Sequence, residues 1–460
     1  MAPPVSEAPP SGGLLDLAQR VAGAARAGEE VEAYVVRSRE TDVRVFDGDV
    51  ESLSMAGVEG VGVRVISDHR QGFAWAGSLE TAVVDETLDE ARDNAAFGEP
   101  DEWNGLPSPS DFESVAPAPL DVWRESLLAV SPDDKVALAI ELERATRAAD
   151  PRVRGVESAG YGDTAVEAAV ASSLGVAATS RRTMCSCSSF SIAGDADDTQ
   201  TGYGFSAGRA FDDLDPADAA NTAAERAVRL LGATKPRTQR LPVVLDPLVT
   251  RSLLAILGSA LGGESVLKNR SMFVGRDGEQ VAAPRVTLRD DPTLPEALGA
   301  ASYDSEGVPT RPVDLIAGGV LLGYLQNTYT GRRSGAATTG SAVRGGFKST
   351  PVVGARALYM EPGSLGRDEL LASVPMALYV QSVSGLHSGT NPVSGDFSVG
   401  AEGLMVRDGE LAEPVREVTI ASTLQRILLD VGEIGSDLTW LPGGGAGMTL
   451  LVTEMTMSGE

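Results

Sequence analysis

The chain has 460 residues, of which 65 are Asp or Glu and 38 are Lys or Arg, so its formal charge at pH 7 is −27. Such a surface repels nucleic-acid phosphates and anionic membranes, which excludes direct DNA binding as an expected function. The charge serves solubility or recognition of a basic partner, and the sequence leaves both open. A chain of this length exceeds what one hydrophobic core usually organises, which predicts two domains.

The sequence also bears on the compartment. No run approaches the roughly 18 apolar residues that span a bilayer. The Pro-rich residues 1–13 lack the basic start and apolar centre of a secretory signal and are predicted to be a disordered tail. Cys185 and Cys187 are the only cysteines, so a disulfide framework is excluded and a reducing compartment is favoured. We therefore expect a cytoplasmic protein without membrane contact.

Residues 14–238 are predicted to form an N-terminal α/β domain with a mixed sheet and helices. Apolar spacing, capping residues and turn signals predict, in chain order, a helix at 14–27, strands at 31–37, 41–46, 49–55 and 60–66, a helix at 86–96, a loop at 99–121, a helix at 132–150, strands within 153–205 and a helix at 216–231. Ser131 is the predicted N-cap of the helix at 132–150, with Pro132 at its first position. The alternating segments from 41 to 66 are typical of an antiparallel meander.

The segment 235–242 contains two prolines and breaks both the helical and the strand pattern, so we place the domain boundary there. Residues 239–460 are predicted to form a β-rich C-terminal domain with helices at 248–261 and 422–431 and many short strands separated by Gly. The predicted fold class of the whole chain is therefore α+β.

Metal-ligating residues are scarce. A catalytic zinc site needs about three protein ligands, and the chain has only two histidines, His69 and His387. His69 follows a predicted strand and is expected in a hairpin turn, which makes His387 the better functional candidate. Cys185 and Cys187 share one face of a predicted strand, but two thiols without further ligands cannot complete a tetrahedral site. No metal site is therefore predicted in this chain.

The sequence contains no clear motif of another enzyme class. We find no Gly-x-Ser-x-Gly nucleophile elbow around a serine, and neither a phosphate-binding Gly-x-x-x-x-Gly-Lys-Ser/Thr nor a dinucleotide-binding Gly-x-Gly-x-x-Gly. We assign no catalytic residue to the chain.

Two Gly-rich segments are candidates for binding an extended peptide. In 384–398, the glycines would let another backbone approach closely, and His387, Asn391 and Asp396 would line the cleft. A structural turn joining two strands explains this segment equally well. In 329–340, Arg332 and Arg333 would hold a peptide carboxylate or an acidic group from a flexible loop, although a solvated loop is the alternative.

Five segments carry a family resemblance, at 278–282, 303–310, 318–324, 383–403 and 414–420. Segments such as Gly278-Glu-Gln-Val are weak alone, but their order and spacing together are specific. The chain resembles the TldD/PmbA peptidase family from about residue 31 to residue 459.

The resemblance implies a heterodimer in which a TldD-like and a TldE-like (PmbA) subunit enclose a cleft where the zinc of the TldD-like subunit cuts unfolded peptides. In the zinc-bearing branch, a His-Glu-x-x-x-His motif lies on the helix that corresponds to 252–270 here, and a cysteine ligand lies in a Gly-rich segment that corresponds to 442–448. Neither window contains the His or Cys required. The chain therefore resembles the zinc-free PmbA/TldE branch.

The function implied is a non-catalytic subunit that completes the peptide cleft and stabilises a zinc-bearing partner. Members of the family process peptide antibiotics and degrade small antitoxins, so a specialised amide-hydrolysing pair in peptide or antibiotic biosynthesis is one alternative. A stand-alone peptide-binding homodimer without enzyme activity is another. No cofactor is expected in this chain, and zinc is expected in the TldD-like partner.

Overall fold

A computed structural model of the chain describes residues 12–195, 198–442 and 444–460. The helices are α1 Gly12–Ala22, α2 Thr81–Phe97, α3 Glu125–Leu128, α4 Pro132–Ala149, α5 Pro216–Val228, α6 Pro247–Ala260, α7 Gly263–Leu267, α8 Thr328–Ser334, α9 Arg367–Ala372, α10 Leu386–Gly389 and α11 Leu424–Leu429, with 3₁₀ turns at Pro109–Asp111 and Phe211–Asp213. The tail predicted over 1–13 lies outside the described residues, apart from Gly12 and Gly13, which begin α1.

The strands of the N-terminal half are β1 Glu29–Phe46, β2 Asp49–Ser67, β3 Arg70–Ala76, β4 Val153–Ser172, β5 Ala177–Ala193 and β6 Gln200–Gly208. Those of the C-terminal half are β7 Gln239–Leu245, β8 Leu288–Asp290, β9 Val313–Ala317, β10 Val320–Leu321, β11 Ala342–Val343, β12 Val352–Val353, β13 Leu358–Met360, β14 Met376–Ser384, β15 Asp396–Arg407, β16 Glu410–Thr423, β17 Val431–Ile434, β18 Thr439–Trp440, β19 Ala446–Gly447 and β20 Leu450–Ser458. This α+β content confirms the predicted fold class.

The first six strands form one sheet in the order β3-β2-β1-β4-β5-β6. Every neighbouring pair is antiparallel, so the prediction of a mixed N-terminal sheet was wrong. The four short strands predicted between 31 and 66 are halves of two long ones, β1 and β2, joined at Asp47-Gly48. Both turn residues have positive φ, as a type I′ hairpin requires.

One face of this sheet carries the helices. Val31, Ala33 and Val35 pack under α1 and α2, whereas Val43 and Val45 pack near α4. The alternation of apolar and polar residues along β1 produces this one-sided burial. His69 lies in the turn between β2 and β3 with φ 62°, as predicted for a turn residue.

The C-terminal half contains a closed barrel. Five strands follow each other in the order β16-β15-β14-β7-β20, and β20 also pairs with β16, which closes the ring. Strands β7 and β14 are parallel, and all the other pairs in the ring are antiparallel. The largest hydrophobic core fills this barrel and extends to α6.

Buried charges join the two halves. The Arg64 guanidinium of β2 contacts Glu32 of β1 at 2.7 Å and Glu306 of the C-terminal half at 3.1 Å. All three side chains are buried, so this contact fixes the orientation of the barrel on the sheet face opposite the helices. Among the helices in the described ranges, none is both long and apolar enough to cross a membrane.

Candidate functional site

Helix α6 follows the first barrel strand and is held in place by its capping residue. The Asp246 carboxylate accepts a hydrogen bond from the Leu248 backbone N–H at 3.0 Å, and Pro247 occupies the first turn. This is the cap geometry that the Asp-Pro sequence favours. Leu253, Leu254 and Leu257 bury one side of the helix in the barrel core.

A cavity of about 250 Å³ lies beside α6, between the helix, residues 353–355 and the Gly-rich segment that contains Gly444 and Gly445. The helix and the Gly-rich segment can approach this closely only because residue 447 is a glycine. A Cβ atom on Gly447 would lie 1.9 Å from the Pro247 carbonyl oxygen. The fold therefore brings together the two segments, 252–270 and 442–448, that the family resemblance associates with zinc ligands.

The chemistry of this cavity does not fit a zinc ion. Its side chains include Arg251, Leu254, Ala255 and Ser259, and among the described residues no His, Cys, Asp or Glu lines it. Across the described ranges, no group of three or more such residues is close enough together to hold a metal ion. Arg251 adds a positive charge to the wall of this cavity, and that charge would repel a divalent cation. The residues present therefore oppose a metal site here.

Arg251 is itself held by the Gly-rich segment. Its Nη2 donates a hydrogen bond to the Pro442 carbonyl oxygen at 3.1 Å. Its buried Nε finds no acceptor within the described part of the chain. The guanidinium thus remains a polar donor at the wall of the cavity. The sequence did not single out Arg251, because this residue precedes the window 252–270 and is not a metal ligand.

A second cavity, of about 220 Å³, lies along the first half of the same helix at the junction of the two halves of the chain. Val249 and Ser252 of α6 and Leu386 of α10 form one side, and Phe190 and Tyr203 of the N-terminal sheet form the other. The rings of Phe190 and Tyr203 are 4.7 Å apart and make an apolar wall.

A groove of about 450 Å³ continues from Phe190 across the face of the N-terminal sheet opposite the helices. Small residues line much of it, namely Ser158, Gly160, Gly162, Ser186 and Ser188. Asp42, Arg44 and Glu157 add charged groups. Phe190 lines both this groove and the second cavity beside α6. An extended chain bound in the groove would therefore run toward α6.

The segment 384–398 makes the turn that one of our two interpretations anticipated. The Asn391 Oδ1 accepts hydrogen bonds from the backbone N–H groups of Val393 and Ser394 at 2.9 and 3.3 Å. The Ser394 hydroxyl donates to the Asp396 carboxylate at 2.6 Å. His387 lies in the short helix α10 and is exposed. Its neighbour Leu386 lines the second cavity, which puts His387 beside that cavity without lining it.

Arg332 and Arg333 lie in helix α8, so the prediction of a flexible loop was wrong. Asn327 caps this helix by accepting from the Thr330 N–H at 2.9 Å, which the sequence pattern did not reveal. Arg332 donates to the Leu106 carbonyl oxygen at 2.8 Å, and Arg333 lies 3.6 Å from Asp101. Both arginines therefore contact the N-terminal half, and neither lines the three cavities described above.

The two cysteines lie in strand β5 of the N-terminal sheet. Cys185 and Cys187 are free thiols, each 1% exposed, on the face covered by α4 and α5. Burial raises the pKa of Cys185 to about 12 and that of Cys187 to about 11. Because metals and electrophiles react with the thiolate, these residues are packing groups.

Comparison with known proteins matches nearly the whole chain. Sequence models of the PmbA/TldA metallopeptidases match domain 1 at residues 31–95, the central domain at 125–231 and the C-terminal domain at 238–459. The chain is 28% identical to metalloprotease PmbA of Escherichia coli O157:H7 over 436 residues, covering 94% of this chain and 93% of the relative. It is also 28% identical to a metalloprotease TldD homologue of Haemophilus influenzae over 452 residues, covering 93% and 92%.

Among solved structures, TldE from Thermococcus kodakarensis has the same fold, with a TM-score of 0.88 at 23% identity over 97% of this chain and 99% of that chain.

Proposed function

Because the chain belongs to the PmbA/TldD family of metallopeptidases, we propose that it is the zinc-free, non-catalytic subunit of a heterodimeric peptidase. In this role it completes the cleft for unfolded or small peptides and stabilises a TldD-like subunit that carries the zinc. The peptide-bond chemistry then takes place in the partner.

One observation carries the proposal. The described residues that line the cavity between α6 and the Gly-rich segment are Arg251 and small or apolar residues, and none of them is a ligand for zinc. A zinc peptidase activates a water molecule by placing it on a metal held by about three protein ligands. Overall identity does not separate the branches, since the PmbA and TldD relatives are equally similar at 28%. The chemistry of the cavity favours the PmbA type.

The groove that leads to α6 supports a role in binding peptide. Its small residues leave room for a backbone, and the aromatic pair Phe190 and Tyr203 offers an apolar contact at the end near α6. Small side chains make few specific contacts, so a groove of this kind places little demand on the sequence of an extended chain. This fits a subunit that guides unfolded substrates without selecting them strictly.

The test compares the chain alone with the chain co-expressed with the TldD-like protein of the same organism. We expect stable co-purification, roughly one zinc per pair and cleavage of an unstructured fluorogenic peptide only by the complex. If the chain alone bound zinc stoichiometrically and cleaved the peptide, the proposal would be wrong. If the chain formed only a dimer with itself that bound peptide without cleavage, the stand-alone binding protein would replace it.

A variant in the second cavity tests the contribution of this subunit. Replacing Ser252 with Trp fills the second cavity, and we expect kcat/KM of the complex to fall about tenfold or more with zinc content unchanged. Leu322→Trp is the control, because Leu322 is 54% exposed and lines none of the three cavities. If the pair cleaves only one small peptide-like amide and not general peptides, the specialised biosynthetic pair is favoured.

A further inference from the structure

The outer edge of strand β2 is open over most of its length. Strand β3 pairs with β2 only from Val61 to Ser67, so residues 49–60 have β1 on one side and no strand on the other within the described part of the chain. Every residue from 49 to 59 is exposed. A long open edge presents unpaired backbone N–H and C=O groups, which folded proteins normally cover or protect.

One face of β2 packs against the helices over residues 61–65. On that same face, the side chains along the open edge are apolar. Val50, Leu53 and Met55 are 42%, 46% and 58% exposed. Their partners on β1 are Val45, Val43 and Thr41, which are 0%, 1% and 5% exposed. The apolar face of the sheet therefore continues past the helix-covered part of β1 to the open edge. Three adjacent apolar side chains beside unpaired backbone are typical of a surface that another chain covers.

The charges on this edge argue against its pairing with the same edge of a second copy of this chain. Residues 49–60 contain Asp49, Glu51 and Glu59 and no basic residue. An antiparallel pairing of two such edges centred on Ser54 would place Asp49 opposite Glu59 at both ends. Like charges directly opposite each other destabilise a strand pair. Glu51 and Glu59 bind Arg44 and Arg37 of β1, but these arginines lie one strand inside the edge.

We infer that residues 49–60 of β2 are the docking edge for the zinc-bearing subunit, which adds a strand with alternating apolar side chains and basic residues that face Asp49 and Glu59. The inference rests on the proposed function for the identity of the partner. The match to domain 1 of the family, residues 31–95, contains all of β2 and β1 from residue 31 onward, so a partner from the family has an equivalent hairpin to offer. Strand addition would join the N-terminal sheets of the two subunits into one continuous sheet.

The test measures association of the purified chain with its TldD-like partner by analytical ultracentrifugation. The double variant Leu53→Ser/Met55→Ser removes apolar contacts without adding charge, and we expect Kd to rise ~10-fold or more. The matched control is Leu322→Ser/Leu429→Ser, which alters two leucines that are 54% and 40% exposed outside the edge. We expect the control to bind like the wild type. Thermal unfolding of each variant alone verifies that the fold is retained.

Two further measurements examine the backbone and the charge. Amide hydrogen exchange of residues 49–60 should slow when the partner is added, because strand pairing protects these N–H groups. Asp49→Lys should weaken the complex, and more so at low salt, if the facing residues are basic.

The outcomes separate this inference from the proposed function. A complex that tolerates the double variant and leaves residues 49–60 exchanging freely would overturn the docking edge but keep the heterodimer. A self-dimer that the double variant dissociates would assign the edge to a second copy and overturn the inference. If the wild-type chain does not bind the TldD-like protein, both proposals fail.

Discussion

Arg226 of α5 donates a hydrogen bond to the carboxylate of Asp246, the N-cap of α6, over 2.9 Å. The pair connects the last helix of the N-terminal half to the helix that lines two of the cavities. Asp246 also accepts a hydrogen bond from the Tyr379 hydroxyl at 2.6 Å. A single buried carboxylate therefore fixes the start of α6 relative to both the sheet and the barrel.

Removing the cation from this pair should be costly. Arg226→Ala leaves the Asp246 carboxylate, 3% exposed, without its counter-charge. We expect the free energy of unfolding to fall by about 3 kcal/mol or more, measured by urea denaturation. Arg240→Ala is the control, since Arg240 and Glu454 form an ion pair with side chains 72% and 57% exposed. That change should cost about 0.5 kcal/mol or less. Equal losses in the two variants would refute the importance of burial.

Stability should depend on pH through Asp290. Its carboxyl group is fully buried, and burial raises the pKa to about 6 from an ordinary 3.8. The native state therefore holds its proton more tightly than the unfolded chain. The stabilisation is complete below pH 3.8 and is lost as pH rises to about 6.

Asp290→Asn isolates this dependence. One carboxylate oxygen, Oδ1, accepts the hydrogen bonds from the backbone N–H groups of Arg356 and Ala357, and an amide oxygen can accept both. Between pH 4 and 7 the wild type should lose on the order of 3 kcal/mol relative to the variant. Denaturant unfolding at several pH values checks this, with the exposed-site variant Asp121→Asn as control. A constant difference between wild type and Asp290→Asn would contradict the prediction.

The two arginines of α8 should contribute unequally to stability. Arg332 donates a hydrogen bond to the Leu106 carbonyl oxygen. Its guanidinium also packs closely against Gly105, where an added Cβ would lie only 2.1 Å from Nη1. Arg332→Ala should therefore lower the free energy of unfolding by about 1–2 kcal/mol. Arg333, with a side chain 46% exposed, should matter by about 0.5 kcal/mol or less. A loss of peptide affinity in the complex without any loss of stability would instead assign Arg332 to the substrate cleft.

Asn391 and His387 separate the two interpretations of the segment 384–398. Asn391→Ala removes the acceptor for two backbone N–H groups, so we expect a loss of about 1 kcal/mol in thermal or chemical unfolding. His387→Ala, at an exposed position in the same segment, should change stability by about 0.5 kcal/mol or less. If His387 lines the cleft of the complex, its loss will appear as a higher KM for peptide.

The thiols should be unreactive in the folded protein. Cys185 and Cys187 are each 1% exposed with raised pKa values, so at pH 8 both carry their protons and face the core. We expect modification by a thiol reagent about 1000-fold slower than in 8 M urea. Fast reaction of one thiol under native conditions would show that β5 opens locally.

The N-terminal sheet shows which features of a strand the alternation of apolar and polar residues can predict and which it cannot. The pattern of β1 identified its strands and its buried face, because side chains alternate between the two faces of a sheet with a period of two. It did not reveal that 31–37 and 41–46 form one strand, since local polarity at Arg39 and Glu40 mimics a break. Pairing with β4 carries the strand through these residues.

The sequence alone determined the family, the fold class, the turn at His69 and the capped start of α4, because these depend on the order of residues along the chain. It also showed that the windows 252–270 and 442–448 lack zinc ligands. Only the tertiary structure placed these windows around one cavity with Arg251 in its wall, and moved Arg332 and Arg333 from a loop to a helix against the N-terminal half. The open edge of β2 was equally invisible in the sequence. Which backbone groups remain unpaired depends on where β3 ends, and that is decided by long-range contacts.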